Sequence, residues 1–317
     1  MAMSVSRSES ICKEIHDSCG DDEQLLNQLL LDLSQPSECR RLREIYMKMY
    51  GDDLIQLLHK INPGPGTISS LSRLMMANPF ERDAAVAGEA IHGNVTVDYM
   101  ALTEIFTCRK SSHVLLILQA YAAKYRSNLE LDIASIEPTH PYQKILVALS
   151  ASHKAHNADI SQHIGKCDAK RLYQTGEGKA GAIDEYVVLE IFSKRSIAQL
   201  KLTFSSYKHI YGHSYTRFLK GQNIGEFEDA VRIVAKCICS PPRYYAKFMY
   251  GCLKGTRTDK SAIARIMVSR MEVDMDEIRK EFKKKFQVEL ESVICECIPQ
   301  GNYRDSLVGI ATKASLR

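Results

Sequence analysis

The chemistry this chain offers is that of backbone oxygen. Three short glycine-bearing loops, "IHGNVT" (91–96), "GEGKAG" (176–181) and "KGTRT" (254–258), sit between helical patterns. Glycine tolerates backbone angles that a side chain forbids, so such a loop can turn its carbonyl oxygens outward. A hard divalent cation takes about six to eight oxygens from carbonyls, carboxylates and water. A glycine just past a helix also serves as a C-cap, and each loop taken alone fits that reading too.

Other chemistry is poorly represented. There is no phosphate-binding glycine loop, no paired Cys/His zinc signature and no nucleophile elbow. The ten histidines are scattered, several in connectors such as "SHKAHNAD". The pairs Cys237/Cys239 and Cys295/Cys297 lack the wider spacing and second pair of a zinc site. A non-catalytic protein is expected. Its ten cysteines accompany an N-terminus, "MAMSVSRSES", without an apolar signal region. Cys12, Cys108, Cys237 and Cys252 fall inside helical patterns, where reduced thiols act as small hydrophobes. The longest apolar run, "VLLILQAYAA", is far too short to cross a bilayer. A cytosolic protein is expected, and any membrane contact is peripheral. Hydrophobic residues at 45% and charged residues at 25% are ordinary for a folded chain of 317 residues. The net charge of +4 gives a nucleic-acid partner no support.

The elements that position the loops repeat. Arg270 follows Ile266 and Met267 and precedes Phe282, Phe286 and Leu290. At the same offsets Arg109 has Ile105, Phe106, Tyr121, Tyr125 and Leu129. Arg195 has Ile191, Phe192, Tyr207, Tyr211 and Tyr215, and Ser34 has Leu30, Leu31, Tyr46, Tyr50 and Leu54. Agreement at so many apolar and aromatic positions marks four copies of one unit. The aromatic residues are expected in the core. The arginines are expected to close carbonyls at helix ends.

Each unit divides into five helices, with no strand pattern. In the fourth, Pro241 and Pro242 suit the first turn of a helix reaching about Leu253. Further helices are expected over 259–269, over 288–294 and over 303–313, with one opened by a capping box of Asp274 and Glu277. Units this small bury too little alone, so stacking is expected. A polar connector, "SHKAHNADISQHIGKCD", separates the second and third.

Four five-helix units with a longer central link resemble the annexin family over nearly the whole chain. The stretches "LTEIFTCR" (102–109), "LYQTGEGKAG" (172–181) and "RIMVSRMEVDMDEIRKEF" (265–282) are similar to its second, third and fourth repeats. Ser34 in place of an arginine and an eroded first loop also resemble the divergent alpha-giardin branch. The resemblance implies an all-α array of four five-helix repeats forming a curved disc. The boundaries are a tail over 1–8 and repeats over 9–78, 79–152, 169–239 and 240–317, with a connector over 153–168. The first repeat is degenerate.

The resemblance further implies calcium held by carbonyls of the loop between helices A and B, with an acid from the D–E loop, as a bridge to acidic phospholipid. In the second repeat these are Ile91, Gly93 and Val95 with Glu137; the loop is one residue longer than usual. In the third they are Gly176, Lys179 and Gly181, with Gln222 where the family has an acid. In the fourth they are Leu253, Gly255 and Arg257 with Glu296. Arg257 stands at a glycine position, where its side chain resists a left-handed backbone and its charge opposes a divalent ion. The first repeat has no family-type site, although Asp21 and Asp22 offer carboxylates.

Cations lie near these loops: His92, Lys179, Lys254, Arg257 and Lys260. Each contributes about 1 kcal/mol near an anionic surface, so weak binding without calcium is expected. With no Trp in the chain and Ala180 in the third loop, deep insertion of an aromatic is not expected. The run "RKEFKKKF" (279–286) is either a solvated helix face or an anion-binding patch. Two functions compete: calcium-regulated binding to acidic membranes, and a calcium-independent scaffold, with decayed sites, that binds cytoskeleton such as microtubules. The two can coexist in one protein joining membrane to filament.

Overall fold

The computed structural model of the chain describes residues 5–17, 36–61, 64, 66–93, 96–151, 160–179, 183–220 and 225–313. Nineteen helices and no strand occur among the described residues. The first repeat contributes α1 (Val5–Asp17), α2 (Pro36–Tyr50), α3 (Leu54–Ile61) and α4 (Ile68–Met76). The second contributes α5 (Pro79–His92), α6 (Tyr99–Cys108), α7 (Ser111–Tyr125), α8 (Leu129–Ala134) and α9 (Pro141–Ser150). The third has α10 (Gln162–Gln174), α11 (Glu185–Lys194), α12 (Ile197–Tyr211), α13 (Tyr215–Phe218) and α14 (Glu226–Cys239). The fourth has α15 (Pro241–Lys254), α16 (Lys260–Arg270), α17 (Met275–Phe286), α18 (Leu290–Cys297) and α19 (Asn302–Lys313). No helix of the described residues is long and apolar enough to cross a membrane.

Three boundaries differ from the sequence reading. Helix α1 starts at Val5, inside the expected tail. Helix α10 starts at Gln162, inside the expected connector, because Ser161 caps it by accepting the Ile164 N–H at 3.3 Å. Helix α18 runs on to Cys297, so Glu296 lies in its last turn rather than in a loop. Leu30, Leu31, Ser34, Asp21 and Asp22 lie outside the described residues.

The chain forms two compact units, residues 1–79 with 242–317 and residues 80–241. Within the first, α4 packs on α16 and α19; within the second, α6, α9, α11 and α14 pack on one another. The repeated aromatics explain how each outer helix pair closes. The first aromatic of each copy, Tyr46, Tyr121, Tyr207 or Phe282, is fully buried. The second stacks on a ring from the opening helix: Tyr50 on His16 at 3.8 Å, Tyr211 on Tyr173 at 4.0 Å, Phe286 on Tyr250 at 3.8 Å. Each such pair stabilises by about 0.5–1.5 kcal/mol beyond burial. The second repeat reaches the same closure differently. Gly88 replaces the ring, and Tyr125 lies where its Cβ would be.

The repeated arginines do not close helix-end carbonyls as their main task; they pair with buried aspartates. Arg109 grips Asp83 with Nε to Oδ2 at 2.6 Å and Nη2 to Oδ1 at 3.1 Å. Arg195 grips Asp168 at 2.7 and 3.2 Å. Both aspartates lie in the opening helix of their repeat, so the pair ties the first helix to the end of the second. Arg270 instead takes Asp274, at 2.7 and 2.5 Å, and lies 4.8 Å from the Tyr245 ring centroid. That contact overturns the expected capping box: the Asp274 side chain makes no cap hydrogen bond, because the guanidinium occupies it.

Candidate metal-binding loops

In the second, third and fourth repeats the loop between the first and second helix is closed by an aspartate that sequence reasoning passed over. Asp98 donates its N–H to the Ala90 carbonyl at 3.0 Å and accepts the Ala101 N–H at 2.9 Å. Asp184 donates to Thr175 at 2.9 Å and accepts from Val187 at 3.2 Å. Asp259 donates to Cys252 at 3.0 Å and accepts from Ala262 at 2.9 Å. One residue therefore ends the loop, caps the next helix and satisfies a carbonyl of the previous one, where a cap alone is worth about 1 kcal/mol. Its signal was an acid directly before each second helical pattern. From accepting carbonyl to cap, the loop of the second repeat is one residue longer than that of the fourth.

The loop glycines are required for a reason other than the expected one. Among the described residues the positive-φ positions are Arg126, Gln287 and Gly51, Gly66, Gly212 and Gly301. Gly93, Gly176, Gly255 and Arg257 are not among them, so Arg257 is not strained by a left-handed backbone. What the glycines permit is close approach. A Cβ at Gly93 would lie 2.7 Å from the Glu89 oxygen, at Gly176 2.9 Å from the Leu172 oxygen, and at Gly255 2.8 Å from the Gly251 oxygen. In all three the obstacle is the carbonyl four residues earlier, so the chain folds tightly back on the last turn of the preceding helix.

In the second repeat Ile91 ends α5 and Gly93 follows it, while Val95 lies outside the described residues. The Gly93 N–H donates to Glu89 at 2.8 Å, and its carbonyl accepts no backbone hydrogen bond among the described residues. Glu137 is exposed and makes no hydrogen bond or ion pair among them. His92, beside Gly93, lies 3.3 Å from the Tyr121 hydroxyl and 3.9 Å from Asp132.

In the fourth repeat the expected acid pairs with the lysine that opens the loop. Lys254 Nζ lies 2.5 Å from Glu296 Oε1. That bond first, and the Glu296 charge as well, raise the Lys254 ammonium above its usual pKa, so the acid arrives already paired. The Leu253 carbonyl receives the Thr258 hydroxyl at 3.5 Å, and Arg257 is exposed. In the third repeat Gly176 is buried and its carbonyl accepts the Lys179 N–H at 3.0 Å. Gly181, Ala180 and Gln222 lie outside the described residues. Two carboxylates not foreseen stand near this loop. Glu177 accepts the Tyr207 hydroxyl at 2.5 Å and contacts His213 at 2.9 Å. Glu228 of α14 accepts the Ile183 N–H at 3.3 Å.

No group of three His, Cys, Asp or Glu side chains converges among the described residues. A metal here depends on carbonyls, as the loops suggest. Of the donors expected in the second repeat, the Gly93 carbonyl and the Glu137 carboxylate have no hydrogen-bond partner among the described residues, and both are oxygen groups of the kind a hard cation takes. The set of the fourth fits only after Lys254 yields its acid, and Gly176 of the third is already engaged.

The Annexin family model matches residues 167–234 and 244–310. Annexin A3 of Homo sapiens is 33% identical over 302 residues, covering 95% of this chain and 91% of that protein. The solved structure of annexin III superposes with a TM-score of 0.83 at 31% identity, covering 96% of this chain and 93% of that one. A calcium-bound alpha-14 giardin superposes with a TM-score of 0.75, covering 95% of this chain and 98% of that one; at 16% identity it shares the fold alone. Helix-end loops repeated along the chain, and that degree of identity over nearly its full length, make this protein a member of the annexin family.

Proposed function

We propose that this annexin binds acidic phospholipid membranes peripherally in a calcium-dependent way, without catalysis, and that its second repeat is the principal site. The observation that carries this reading is the unengaged Gly93 carbonyl together with the exposed, unpartnered Glu137. Ile91, Gly93 and Val95 would hold the ion by their carbonyls and Glu137 by its carboxylate. Bound calcium supplies a positive charge with oxygen positions left open to lipid phosphates. Leu253, Gly255, Arg257 and Glu296 form a weaker site, because Lys254 competes for the acid and Arg257 adds a like charge. Lys179 and Gly181 with Gln222 form the weakest, since an amide brings no charge. Of the cations near the loops, Lys254 is neutralised by Glu296, and the Lys260 stem fills the space beside Gly66. Lys179 and Arg257 are exposed, so calcium-free binding rests mainly on them and is weak.

Sedimentation with phosphatidylserine vesicles at graded calcium tests the reading. Glu137→Gln raises the calcium needed for half-maximal binding by about tenfold or more, since it removes the only protein charge on the ion. An unchanged calcium requirement refutes the assignment. The paired Glu296 also favours a second reading, a scaffold that binds cytoskeleton without calcium. Co-sedimentation with microtubules in chelator separates the two.

A further inference from the structure

A basic cluster sits on the fourth repeat away from its metal-binding loop. Arg243 and Lys247 are exposed and one turn apart on α15. The next position on that face is Gly251, whose Cβ would meet nothing within 4 Å. Glycine weakens a helix relative to alanine, and no neighbour requires it here, so the face ends in open space. Helix α17 is clamped beside it by Tyr250, whose ring stacks on Phe286 at 3.8 Å and 6°. Lys285, next to Phe286, is exposed, with Nζ 5.5 Å from that ring's centroid.

Of the other cations of α17, Arg279 pairs with Glu291, Lys283 with Glu289 and Lys284 with Glu281, while Lys280 makes no ion pair among the described residues. Arg243, Lys247 and Lys285 make no ion pair among the described residues. Partial burial, then the charges of Lys247 and Arg243, hold the Lys285 ammonium below its usual pKa. Three uncompensated cations forced together are costly alone and favourable around an anion.

We propose that Arg243, Lys247 and Lys285 form a binding site for a compact oligophosphate, carried free or on a lipid headgroup, that lies over Gly251. The cluster draws on two adjoining helices rather than on one row, which matches adjacent phosphates better than an extended acidic peptide. Arginine's fork takes two phosphate oxygens and the lysines act as point charges. Arg243 lies about 16 Å along the helix axis from Lys254. The charged groups of the site are thus distinct from the proposed calcium ligands, and its failure leaves the membrane reading untouched.

The test is calorimetric titration with sodium tripolyphosphate in chelator at low salt. Binding is expected, weakened by about tenfold or more in Lys247→Glu/Lys285→Glu and by less than about twofold in Lys283→Glu, whose lysine already has a partner. Gly251→Leu fills the open space without touching a charge, and weakens binding by about threefold or more while the melting temperature holds or rises. Absence of heat with the wild-type protein, or equal affinity in the double variant with an unchanged melting temperature, overturns the proposal. So does tighter binding of poly-glutamate than of tripolyphosphate through the same residues. Phosphatidylcholine vesicles containing phosphatidylinositol bisphosphate, pelleted in chelator, distinguish the sources. Binding lost in the double variant supports a lipid-borne ligand, and no vesicle binding beside retained tripolyphosphate binding supports a free one.

Discussion

Lys254 and Glu296 meet at 2.5 Å between the end of α15 and the last turn of α18. The contact ties Glu296 to the lysine that opens the fourth loop, so the acid is already paired. The side chains are 31% and 66% exposed, respectively. An exposed pair of this kind contributes little, so calcium can displace the lysine readily.

Removing the lysine should therefore strengthen the fourth site. Lys254→Met is expected to lower the calcium needed to saturate this site by up to about fivefold. Isothermal titration in a Glu137→Gln background isolates the effect. If Lys254→Met leaves calcium affinity unchanged while Glu296→Gln also has no effect, Glu296 is not a ligand.

The Arg109–Asp83 and Arg195–Asp168 pairs carry stability rather than binding. The aspartate side chains are 5% and 2% exposed. Replacing one leaves a guanidinium facing a buried gap, and breaking a buried pair from one side costs about 3–5 kcal/mol, less here because the arginines reach water. Asp83→Asn and Asp168→Asn are each expected to lower urea-unfolding stability by about 2 kcal/mol. Calcium-dependent vesicle binding by the folded fraction should be unchanged. A stability loss within experimental error would mean that the pairs are incidental.

Acid sensitivity has a definite source in the third repeat. Lys194 first, and then Arg171, hold the Glu190 carboxyl down to about 2 from its ordinary 4.5. A depressed carboxyl contributes stability that is fully present above its unfolded pKa and is lost as pH falls through its folded one. The contribution of Glu190 is thus intact above about pH 4.5 and disappears toward pH 2. Glu190→Gln is expected to flatten the acid limb of the stability profile in that window and to leave its shape near neutrality alone. Chemical unfolding at stepped pH measures both, and an acid limb of unchanged slope contradicts the assignment.

The repeat was legible because four copies of one apolar and aromatic pattern leave little room for chance, and the first aromatic of each copy is buried. Tyr50, Tyr211 and Phe286, expected in the core, are only part-buried, and their stacking partners His16, Tyr173 and Tyr250 could not be read from the repeat. Those partners have no fixed offset in sequence and differ in chemistry, and in the second repeat the partner is Gly88, an absence. The Arg–Asp pairs were hidden for a related reason. A carboxylate some turns upstream looks like any surface acid until the fold buries it. Asp98, Asp184 and Asp259 were visible and unread, since attention to acids as ligands obscured their role as caps. The glycines were read for backbone freedom, whereas the need is space, which depends on where the previous helix ends.

Thiol reactivity follows from burial and gives a direct check on the packing of both units. Cys167 and Cys295 are exposed, whereas Cys12, Cys39, Cys237 and Cys252 are buried. Burial first, with a lesser push from nearby acids, drives Cys39 up to about 12 and Cys12 up to about 11. Burial also raises Cys239 to about 11, and Cys237 well above its usual value. The thiolate is the reactive species, so these groups are doubly protected, by access and by protonation. In the native protein at pH 8 an aromatic disulfide reagent is expected to modify Cys167 and Cys295 quickly and the four raised thiols only after denaturation. Peptide mapping by mass spectrometry assigns each site. Rapid labelling of Cys39 or Cys237 under native conditions would show that the helices around them open far more readily than a packed core allows.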